Sequence, residues 1–458
     1  YCTCMKSDKH SDSVLLWLVA IGFFMETLDS TIVNTALPTM AVSLNESPLY
    51  MQSVVIAYAL TLAVFIPASG WLTDRFGIRR VYIGAITIFT IGSLFCAISQ
   101  TLPQLVLSRV LQGLGGSMLM PVGRLAILRN FPGSKYLAAL SFAAIPALIG
   151  PLVGPTLGGW LVEYTSWHWI FLINLPIGLI LGFVTYKAMP KDEIEQTRRF
   201  DLVGFFQISA FMISMSFALD GLSGLNFSYG LVLILFVFGL AALAAYVLHA
   251  QKTPTPLISP TLFKERTYSI GIIGNMFARI GSSGMPFLIP LFFQLCLGYS
   301  PFEAGLSMVP LAIAAIVAKR FVATFVFKFG YRKFLIVNTI LVGLSMASFA
   351  LIGPTEPKWL QILHLLFFGV FNSMQFTAMN TLTLKDLDRK KASDGNALFS
   401  MVQMLAMSFS VAAVGSLLTT FMNYYDKLDA FHGSFLSMGA LTCTSAWIFW
   451  QLDKKEQL

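Results

Sequence analysis

Two carboxylates stand inside the first long apolar run of the chain. Glu26 and Asp29 lie in the segment FMETLDSTIVNTALP, residues 24–38. On a helix, residues three apart are neighbours on nearly one face, about one turn from each other. Two acids this close in a site of low dielectric constant do not both ionise easily, so one of them can carry a proton. The pair predicts a proton-carrying site within a membrane, and a cavity-lining or snorkelling role for Glu26 is the alternative.

Basic side chains also interrupt apolar runs. Arg109 lies in LSRVLQGLGGSMLMPVGRL, and an arginine in the middle of a membrane span costs about 2.5–3.5 kcal/mol on insertion scales. We therefore expect it to face a polar interior, either as a structural group bonded to backbone or in proton or substrate coupling, with Glu26 and Asp29 as the proton-coupling acids. Of the neighbouring pair Lys319 and Arg320, we expect at least one to extend towards the lipid headgroups.

A second group of polar residues within apolar runs suggests a substrate cavity. Arg279, in NMFARIGSSG, has little chance of reaching water or headgroups, so it should carry charge inside such a cavity. The residues predicted to line the cavity are Asn34, Gln112, Asn275, Arg279 and Gln375.

The composition requires that membrane spans position these residues. Of the 458 residues 56% are hydrophobic and only 11% are charged, and the mean hydropathy is +0.74. Soluble domains carry about 25% charged residues. Between residues 14 and 450 the chain contains fourteen apolar runs that can each cross a hydrocarbon core about 30 Å thick. We therefore predict an all-α integral membrane protein with fourteen transmembrane helices.

The net charge of +8 agrees with this topology. If the N-terminus is cytoplasmic, 24 of the 30 Lys and Arg residues fall on the cytoplasmic side, whereas the outer loops hold only Lys358 and Lys427. This asymmetry obeys the positive-inside rule, predicts that both termini are cytoplasmic, and argues against nucleic acid as a partner. The five Cys show no metal-ligand spacing, so no metal site is predicted.

A weak internal repeat predicts two six-helix halves. FGIRR at 76–80 and FGYRK at 329–333 both follow the pattern aromatic-Gly-x-basic-basic. The predicted organisation is a cytoplasmic N-terminus (1–13), an N-terminal half (14–188), a linker with two extra helices (189–266), a C-terminal half (267–450) and a cytoplasmic tail (451–458). The polar leader YCTC before Met5 is interpreted as upstream-translated sequence.

The loop GWLTDRFGIRR has the ingredients of a conformational latch. Gly70 and Gly77 permit close approach and a sharp turn, and Asp74 can meet a cation or a helix N-terminus near residues 394–396. A basic loop that only sets topology is the alternative for the arginines. The predicted latch comprises Gly70, Asp74, Arg75, Gly77, Arg79 and Arg80.

The fifth span carries GPLVGPTLGGWL. Its glycines leave a helix face without side chains for tight packing, which we expect to be against a helix of the second half, and its prolines permit a bend. The predicted packing residues are Gly150, Pro151, Gly154, Pro155, Gly158 and Gly159.

These motifs resemble those of a known transporter family. The latch loop and the Arg109, Gln112 and Gly113 pattern are similar to signatures of the major facilitator superfamily. The strings LDSTIVNTALP, WHWIFLINLPIG (167–178) and RRFDLVG (198–204) resemble its fourteen-helix drug:proton antiporter family. The resemblance implies a role for Asp29 in proton coupling or substrate binding; Glu26 departs from the pattern, since a neutral residue is commoner there.

The resemblance implies a function. The glycine and proline string of the fifth span is similar to the antiporter signature of drug exporters, which implies a proton-coupled exporter of amphipathic drug-like compounds that works by alternating access. An exporter of an organic anion or metal chelate is the alternative, because basic residues outnumber acids within the spans. A channel or a membrane enzyme is remote, since no filter loop, nucleophile elbow or metal-binding His cluster is visible.

The expected partners follow from the same resemblance. They are a small-molecule substrate and membrane lipids, with protons as the coupling ion and no other cofactor. We expect a monomer in a bacterial inner membrane.

Overall fold

The computed structural model describes residues 8–46, 48–131, 134–191, 199–223, 227–299 and 301–452. Every regular element within these ranges is helical. Helices dominate because a chain in lipid must satisfy its backbone hydrogen bonds within each segment. The prediction of an all-α membrane protein is confirmed.

Eighteen α-helices follow one another in the described part of the chain, joined in places by short 3₁₀ turns. They are α1 (Asp8–Ser43), α2 (Gln52–Phe65), α3 (Ser69–Phe76), α4 (Ile78–Ile98), α5 (Leu102–Asn130), α6 (Ser134–Tyr164), α7 (Trp169–Leu172), α8 (Asn174–Ala188), α9 (Leu202–Ser223), α10 (Tyr229–Lys252), α11 (Arg266–Ser282), α12 (Met285–Leu295), α13 (Pro301–Ser307), α14 (Val309–Ser348), α15 (Lys358–Lys385), α16 (Arg389–Met422), α17 (Lys427–Thr444) and α18 (Ala446–Trp450).

Eleven helical stretches of the described residues are long and apolar enough to cross a membrane, and a bent pair within Lys135–Tyr164 makes a twelfth. One of the eleven, Glu303–Leu351, is 49 residues long and contains a kink at Gly330, so its length suits two spans. The helices α17 and α18 together supply another stretch of comparable length. This arrangement is consistent with the fourteen predicted spans.

Two glycines at equivalent positions of the sequence repeat share one backbone conformation. Gly77 has φ 83° and ψ 150°, and Gly330 has φ 76° and ψ 156°. Residues with a side chain rarely adopt this positive φ, so glycine is needed where the chain turns sharply between two helices. The similar geometry supports the internal repeat that the two FG-x-basic-basic strings predict.

The structure divides into two compact units, and each is discontinuous in sequence. One, here called unit 1, comprises the chain up to Ser209 together with His249–Ser259 and Asp388–Leu398. The other, unit 2, comprises Ala210–Leu248, Pro260–Leu387 and the chain from Phe399 onwards. The predicted domain boundaries at 188/189 and 266/267 stay a prediction.

Glycines set the close packing of α5 in unit 1. A Cβ added at Gly115 would lie 2.4 Å from the backbone nitrogen of Phe89 on α4, and one added at Gly113 would lie 3.1 Å from the carbonyl oxygen of Tyr58 on α2. Such short distances exclude side chains at these positions. The glycines therefore hold the polar residues of α5 close to both neighbouring helices.

The glycines of α6 pack against α1, within the same unit. A Cβ at Gly150 would lie 2.2 Å from Thr27 Oγ1, and one at Gly154 would lie 2.2 Å from Thr31 Oγ1. The expectation that this face packs against the second half is therefore wrong for these two glycines. The small residues serve tight helix packing as predicted, but the partner helix is α1. Gly158 is buried, and Gly159 faces open space.

Candidate functional site

An ion pair is buried in the interior of unit 1. Arg109 Nη1 on α5 lies 2.6 Å from Asp29 Oδ2 on α1, and the two residues are 1% and 0% exposed. The structure thus supplies the buried arginine with the carboxylate that its position in an apolar run requires. The proton-coupling role of both residues stays a prediction.

Two amides bind the other oxygen of the same carboxylate. Gln112 Nε2 donates to Asp29 Oδ1 at 2.8 Å, and Asn174 Nδ2 donates to it at 3.0 Å. Both amides also donate to the Ser93 hydroxyl, at 2.8 and 3.4 Å. Arg109, Gln112 and Asn174 thus all donate to the one carboxylate. Helices α5 and α8 thus bind the carboxylate of α1 directly, and α4 joins them through Ser93.

The Arg109 guanidinium has further contacts that fix its position. Its Nε donates to the carbonyl oxygen of Val54 at 3.3 Å, and its Nη1 also donates to Gln112 Oε1 at 2.6 Å. Its Cζ lies 4.2 Å from the centre of the Tyr58 ring, which is a cation–π contact. Arg109 therefore joins α2 and α5 to the acid on α1.

Glu26 lies nearer to the Asn130 end of α5 than Asp29 does. Its Oε2 accepts a hydrogen bond of 3.1 Å from the backbone N–H of Met120. Arg124 is close enough to Glu26 for an electrostatic attraction, and its Nη1 donates to Asn396 Oδ1 at 3.4 Å. The two acids share one face of α1, as predicted, but they bind α5 at Gln112 and Met120, about two turns apart, rather than each other.

In unit 2, the structure brings together two of the predicted cavity residues. Arg279 Nε donates to Asn275 Oδ1 at 3.2 Å, and its Nη2 donates to Asn380 Oδ1 at 3.0 Å. Its Cζ lies 4.2 Å from the centre of the Phe376 ring. Asn275 in turn donates to Thr383 Oγ1 at 3.1 Å. These contacts join the arginine to Asn275, Asn380 and Phe376 on α11 and α15.

Lys319 and Arg320 have different environments. Lys319 is buried and its Nζ donates to Thr377 Oγ1 at 3.0 Å, whereas Arg320 is exposed. Lys319 also lies near enough to Arg279 for the two cations to repel each other. Of the two, only Arg320 can therefore extend to the lipid headgroups. Lys319 is a second buried cation close to Arg279.

Other predicted cavity residues lie elsewhere. Gln375 is buried against α14, where it donates to Thr339 Oγ1 at 2.6 Å and accepts from Asn338 Nδ2 at 2.9 Å. Its amide is engaged in packing between α14 and α15. Asn34 is exposed, and five residues on a helix place it about 140° round α1 from Asp29. Of the five, Gln112 joins the Asp29 cluster and Asn275 joins Arg279.

The predicted latch residues separate into a buried group and an exposed one. Asp74 Oδ1 accepts hydrogen bonds from the Ser393 hydroxyl and from Arg129 Nη2, the latter at 3.1 Å. A Cβ at Gly70 would lie 2.9 Å from the carbonyl oxygen of Ser393. Arg79 donates to the carbonyl oxygen of Tyr186, and Arg75 and Arg80 are exposed. Asp74 thus meets the first turns of α16, which belong to unit 1.

We expect Asp74→Asn to loosen this contact by about 1.5 kcal/mol, the lower end of the range for a lost hydrogen bond to a charged group. Spin labels on Arg75 of α3 and on Asp388, just before α16, report the separation of the two segments in unit 1. The distance distribution should broaden towards longer values. Asp386→Asn, an exposed aspartate beside Lys385, is the control and should leave it unchanged. An unchanged distribution in Asp74→Asn itself would leave Asp74 as a topology marker only.

Among the described residues, no group of three His, Cys, Asp or Glu side chains stands close enough to share a metal ion.

Sequence comparison identifies the family of the chain. The family model described as Major Facilitator Superfamily matches residues 19–411. The chain belongs to the major facilitator superfamily. Major facilitator proteins bind small-molecule substrates and lie in lipid bilayers, so this chain is a multi-pass membrane transporter.

Curated major facilitator relatives match most of the chain. A protein of Serratia proteamaculans (strain 568) is 49% identical over 432 residues, which cover 93% of this chain and 90% of the relative. One from Pectobacterium atrosepticum is 48% identical, and one from Escherichia coli O6:H1 is 47% identical, with 95% of this chain covered in each case and 94% and 93% of the relatives. All three carry the name "Putative multidrug resistance protein MdtD".

Solved structures confirm the major facilitator fold. The crystal structure of the human organic anion transporter MFSD10 (TETRAN) matches with a TM-score of 0.70 at 11% identity, covering 96% of this chain and 99% of that one. The proton:xylose symporter XylE, bound to 6-bromo-6-deoxy-D-glucose, matches with a TM-score of 0.66 at 17% identity, covering 97% and 96%. At these identities the likeness concerns the fold alone.

Three residues of the Asp29 cluster were missed by sequence reasoning. Ser93 and Tyr58 are a common hydroxyl and a common aromatic in apolar runs, so their types carry no signal. Asn174 did carry one, because it is an amide inside the apolar string WIFLINLPIG. A polar side chain within a span requires a partner, and this one could have been matched with Asp29.

Proposed function

We propose that this transporter is a proton-coupled exporter of amphipathic, drug-like compounds that works by alternating access. The observation that carries the proposal is the buried Asp29 carboxylate with its three donors Arg109, Gln112 and Asn174. The names of the curated relatives support export of drugs as the activity. The glycine face of α6, which resembles the antiporter signature, supports exchange rather than symport.

In this proposal, a proton competes with the Arg109 guanidinium for the Asp29 carboxylate. While Asp29 is ionised, its oxygens accept bonds from Arg109 and from both amides. A proton on Asp29 removes the negative charge that holds Arg109 at 2.6 Å, so the guanidinium has to find another partner. Such an exchange links protonation to movement of α1 relative to α5. Both helices belong to unit 1, so the coupling site needs no residue from unit 2.

The proposal also covers the location, oligomeric state and orientation of the protein. We place it in a bacterial inner membrane as a monomer, with both termini in the cytoplasm and protons as the coupling ion. The charge asymmetry of its loops supports the orientation.

Transport by the purified protein in proteoliposomes tests the proposal. An imposed pH gradient should drive ethidium, a lipophilic cation, against its concentration gradient, and an internal pH dye should record proton movement in the opposite direction. Dissipation of the gradient by an ionophore should stop both fluxes. Ethidium movement that ignores the gradient would contradict proton coupling.

An exporter of organic anions is the second candidate, and one observation in unit 2 favours it. Arg279 and Lys319 are both buried and lie near each other, held by Asn275, Asn380 and Thr377. Two like charges buried together repel, and an anionic group between them would relieve the repulsion. The substrate would then meet cations in unit 2 while protons act on Asp29 in unit 1.

We expect Arg279→Gln to weaken binding of an anionic probe such as fluorescein about tenfold, the loss of one hydrogen bond to a charged group. Ethidium binding should be unaffected. Arg320→Gln, at the exposed arginine of α14, is the control and should change neither affinity. Fluorescence titration of the purified protein measures both dyes. Unaltered fluorescein binding in Arg279→Gln would remove the anion alternative and leave the cationic-drug proposal.

A further inference from the structure

Helix α5 carries a series of contacts at four-residue intervals. Positions 112, 116, 120 and 124 follow one another about 6 Å apart along its axis, each rotated about 40° from the one before. Gln112 binds Asp29, and Met120 binds Glu26 through its backbone N–H. Arg124 binds Asn396 in the first turns of α16. In this series a single position, Gly116, separates the contact with Asp29 from the contact with Glu26.

The position between the two acids is occupied by a phenol. A Cβ at Gly116 would lie 2.5 Å from the Tyr58 hydroxyl oxygen, so glycine leaves the room for this group. Tyr58 is 3% exposed, and its ring lies under the Arg109 guanidinium that binds Asp29. Both carboxylates are close enough to act on it electrostatically. The phenol is thus adjacent to the Asp29 pair on one side and to the turn that holds Glu26 on the other.

The Tyr58 hydroxyl has no hydrogen-bond partner among the described residues. Leaving a buried hydroxyl unsatisfied costs about 1–3 kcal/mol. A phenylalanine would keep the ring contact with Arg109 and avoid this cost. The hydroxyl is therefore costly for the folded protein in this conformation, and a role in transport accounts for its presence.

We propose that the Tyr58 hydroxyl passes a proton between Asp29 and Glu26. In the inward direction, the O–H bond of protonated Asp29 breaks and its proton moves to the Tyr58 oxygen. The proton already on that oxygen moves to a Glu26 carboxylate oxygen. Asp29 ends as a carboxylate, Glu26 ends protonated and Tyr58 is again neutral, so charge and protons balance and no further reactant is needed.

The surroundings of the path suit such a transfer. The charged and titratable groups facing it come from α1, α2, α4, α5 and α6, and they are Glu26, Asp29, Tyr58, Tyr82, Cys96, Arg109, Arg124 and Tyr136. The two arginines stand at opposite ends, Arg109 beside Asp29 and Arg124 beside Glu26. Each acid therefore has a cation that stabilises it when it has given up the proton.

The test compares Tyr58→Phe with the native protein in proteoliposomes, with ethidium as the probe. This inference rests on proton coupling, so the native protein is measured first. If native protein shows no ethidium movement driven by the pH gradient, the proposed function fails and the relay fails with it. If it does, Tyr58→Phe should slow the gradient-driven flux on the order of 100-fold, the size of a lost positioned proton-transfer group.

A second measurement separates the relay from a structural role. Exchange of ethidium for ethidium at equal pH on both sides requires the conformational cycle but no net proton transfer, so it should persist in Tyr58→Phe. Tyr331→Phe is the matched control, because Tyr331 is also a fully buried phenol whose ring faces a cation, Lys385 at 5.0 Å, and it lies in unit 2. It should leave both fluxes unchanged. Equal loss of both fluxes in Tyr58→Phe, or loss of neither, would overturn the relay.

Discussion

Asp29→Asn should abolish transport driven by a pH gradient. The amide has nearly the shape of the carboxyl group but cannot take up and release a proton, so the coupling step is lost. It also leaves Arg109, which is 1% exposed, without its carboxylate. Removing one partner of a buried ion pair costs about 3–5 kcal/mol, so this variant should also unfold at a lower temperature than the native protein.

The double variant Asp29→Asn/Arg109→Gln separates these two effects. It removes both charges and keeps amides that can bind Gln112, Asn174 and the carbonyl oxygen of Val54. Replacing both members of a buried ion pair is often neutral for stability, so its thermal unfolding should return towards that of the native protein. Gradient-driven transport should stay absent, because the proposed proton carrier Asp29 is still missing.

Thermal unfolding is measured on the purified variants in detergent, and gradient-driven transport is measured in proteoliposomes. Together the two measurements separate the loss of stability from the loss of coupling. Arg109→Gln alone is a useful third sample, since it leaves a buried carboxylate that can take up a proton and so escape its charge. It should lose less stability than Asp29→Asn. Full gradient-driven activity in Asp29→Asn would remove Asp29 from the mechanism, whatever its effect on stability.

The sequence predicts what depends on spacing along one helix. The three-residue interval between Glu26 and Asp29 places both on one face of α1, and a charge within an apolar run requires a partner. Those two rules identified the principal acids and Arg109. The same rules fail for Gln375, because a polar residue within a span can bind another helix, here at Asn338, as well as face a cavity.

The spacing of residues along one helix does not determine which other helices it contacts. Ser93 reaches Asp29's amide partners, and Tyr58 lies between the two acids, because glycines on α5 admit α4 and α2 at short range. Whether a glycine admits one neighbour or another depends on how the helices cross. The sequence therefore indicated that α6 packs tightly, while the identity of its partner as α1 required the structure.

The close packing of α6 against α1 predicts a second large effect on transport, for a substitution at Gly150. A Cβ there would lie 2.2 Å from Thr27 Oγ1 and 2.9 Å from the backbone nitrogen of Leu28. The hydroxyl can rotate away, but the backbone nitrogen cannot, so even Gly150→Ala forces α1 to move. Leu28 is the neighbour of Asp29 in the chain, and the displacement acts directly on the 2.6 Å contact with Arg109.

We expect Gly150→Ala to reduce gradient-driven ethidium transport by about 100-fold, because misplacement of a reacting group by about 1 Å has effects of this size. Insertion and helical content should be retained, since alanine favours helix more than glycine does. Transport in proteoliposomes and circular dichroism of the same preparation measure the two properties.

The same helix supplies the control for this experiment. Gly159 belongs to the same glycine motif, and a Cβ there would meet no atom within 4 Å. Gly159→Ala therefore adds the same methyl group to α6 without pressing on α1, and it should transport as the native protein does. If the two variants were equally impaired, the motif would act through the flexibility of α6. If neither were impaired, the close approach of α6 to α1 would have no part in positioning Asp29. Loss at Gly150 alone would show that this approach sets the position of Asp29.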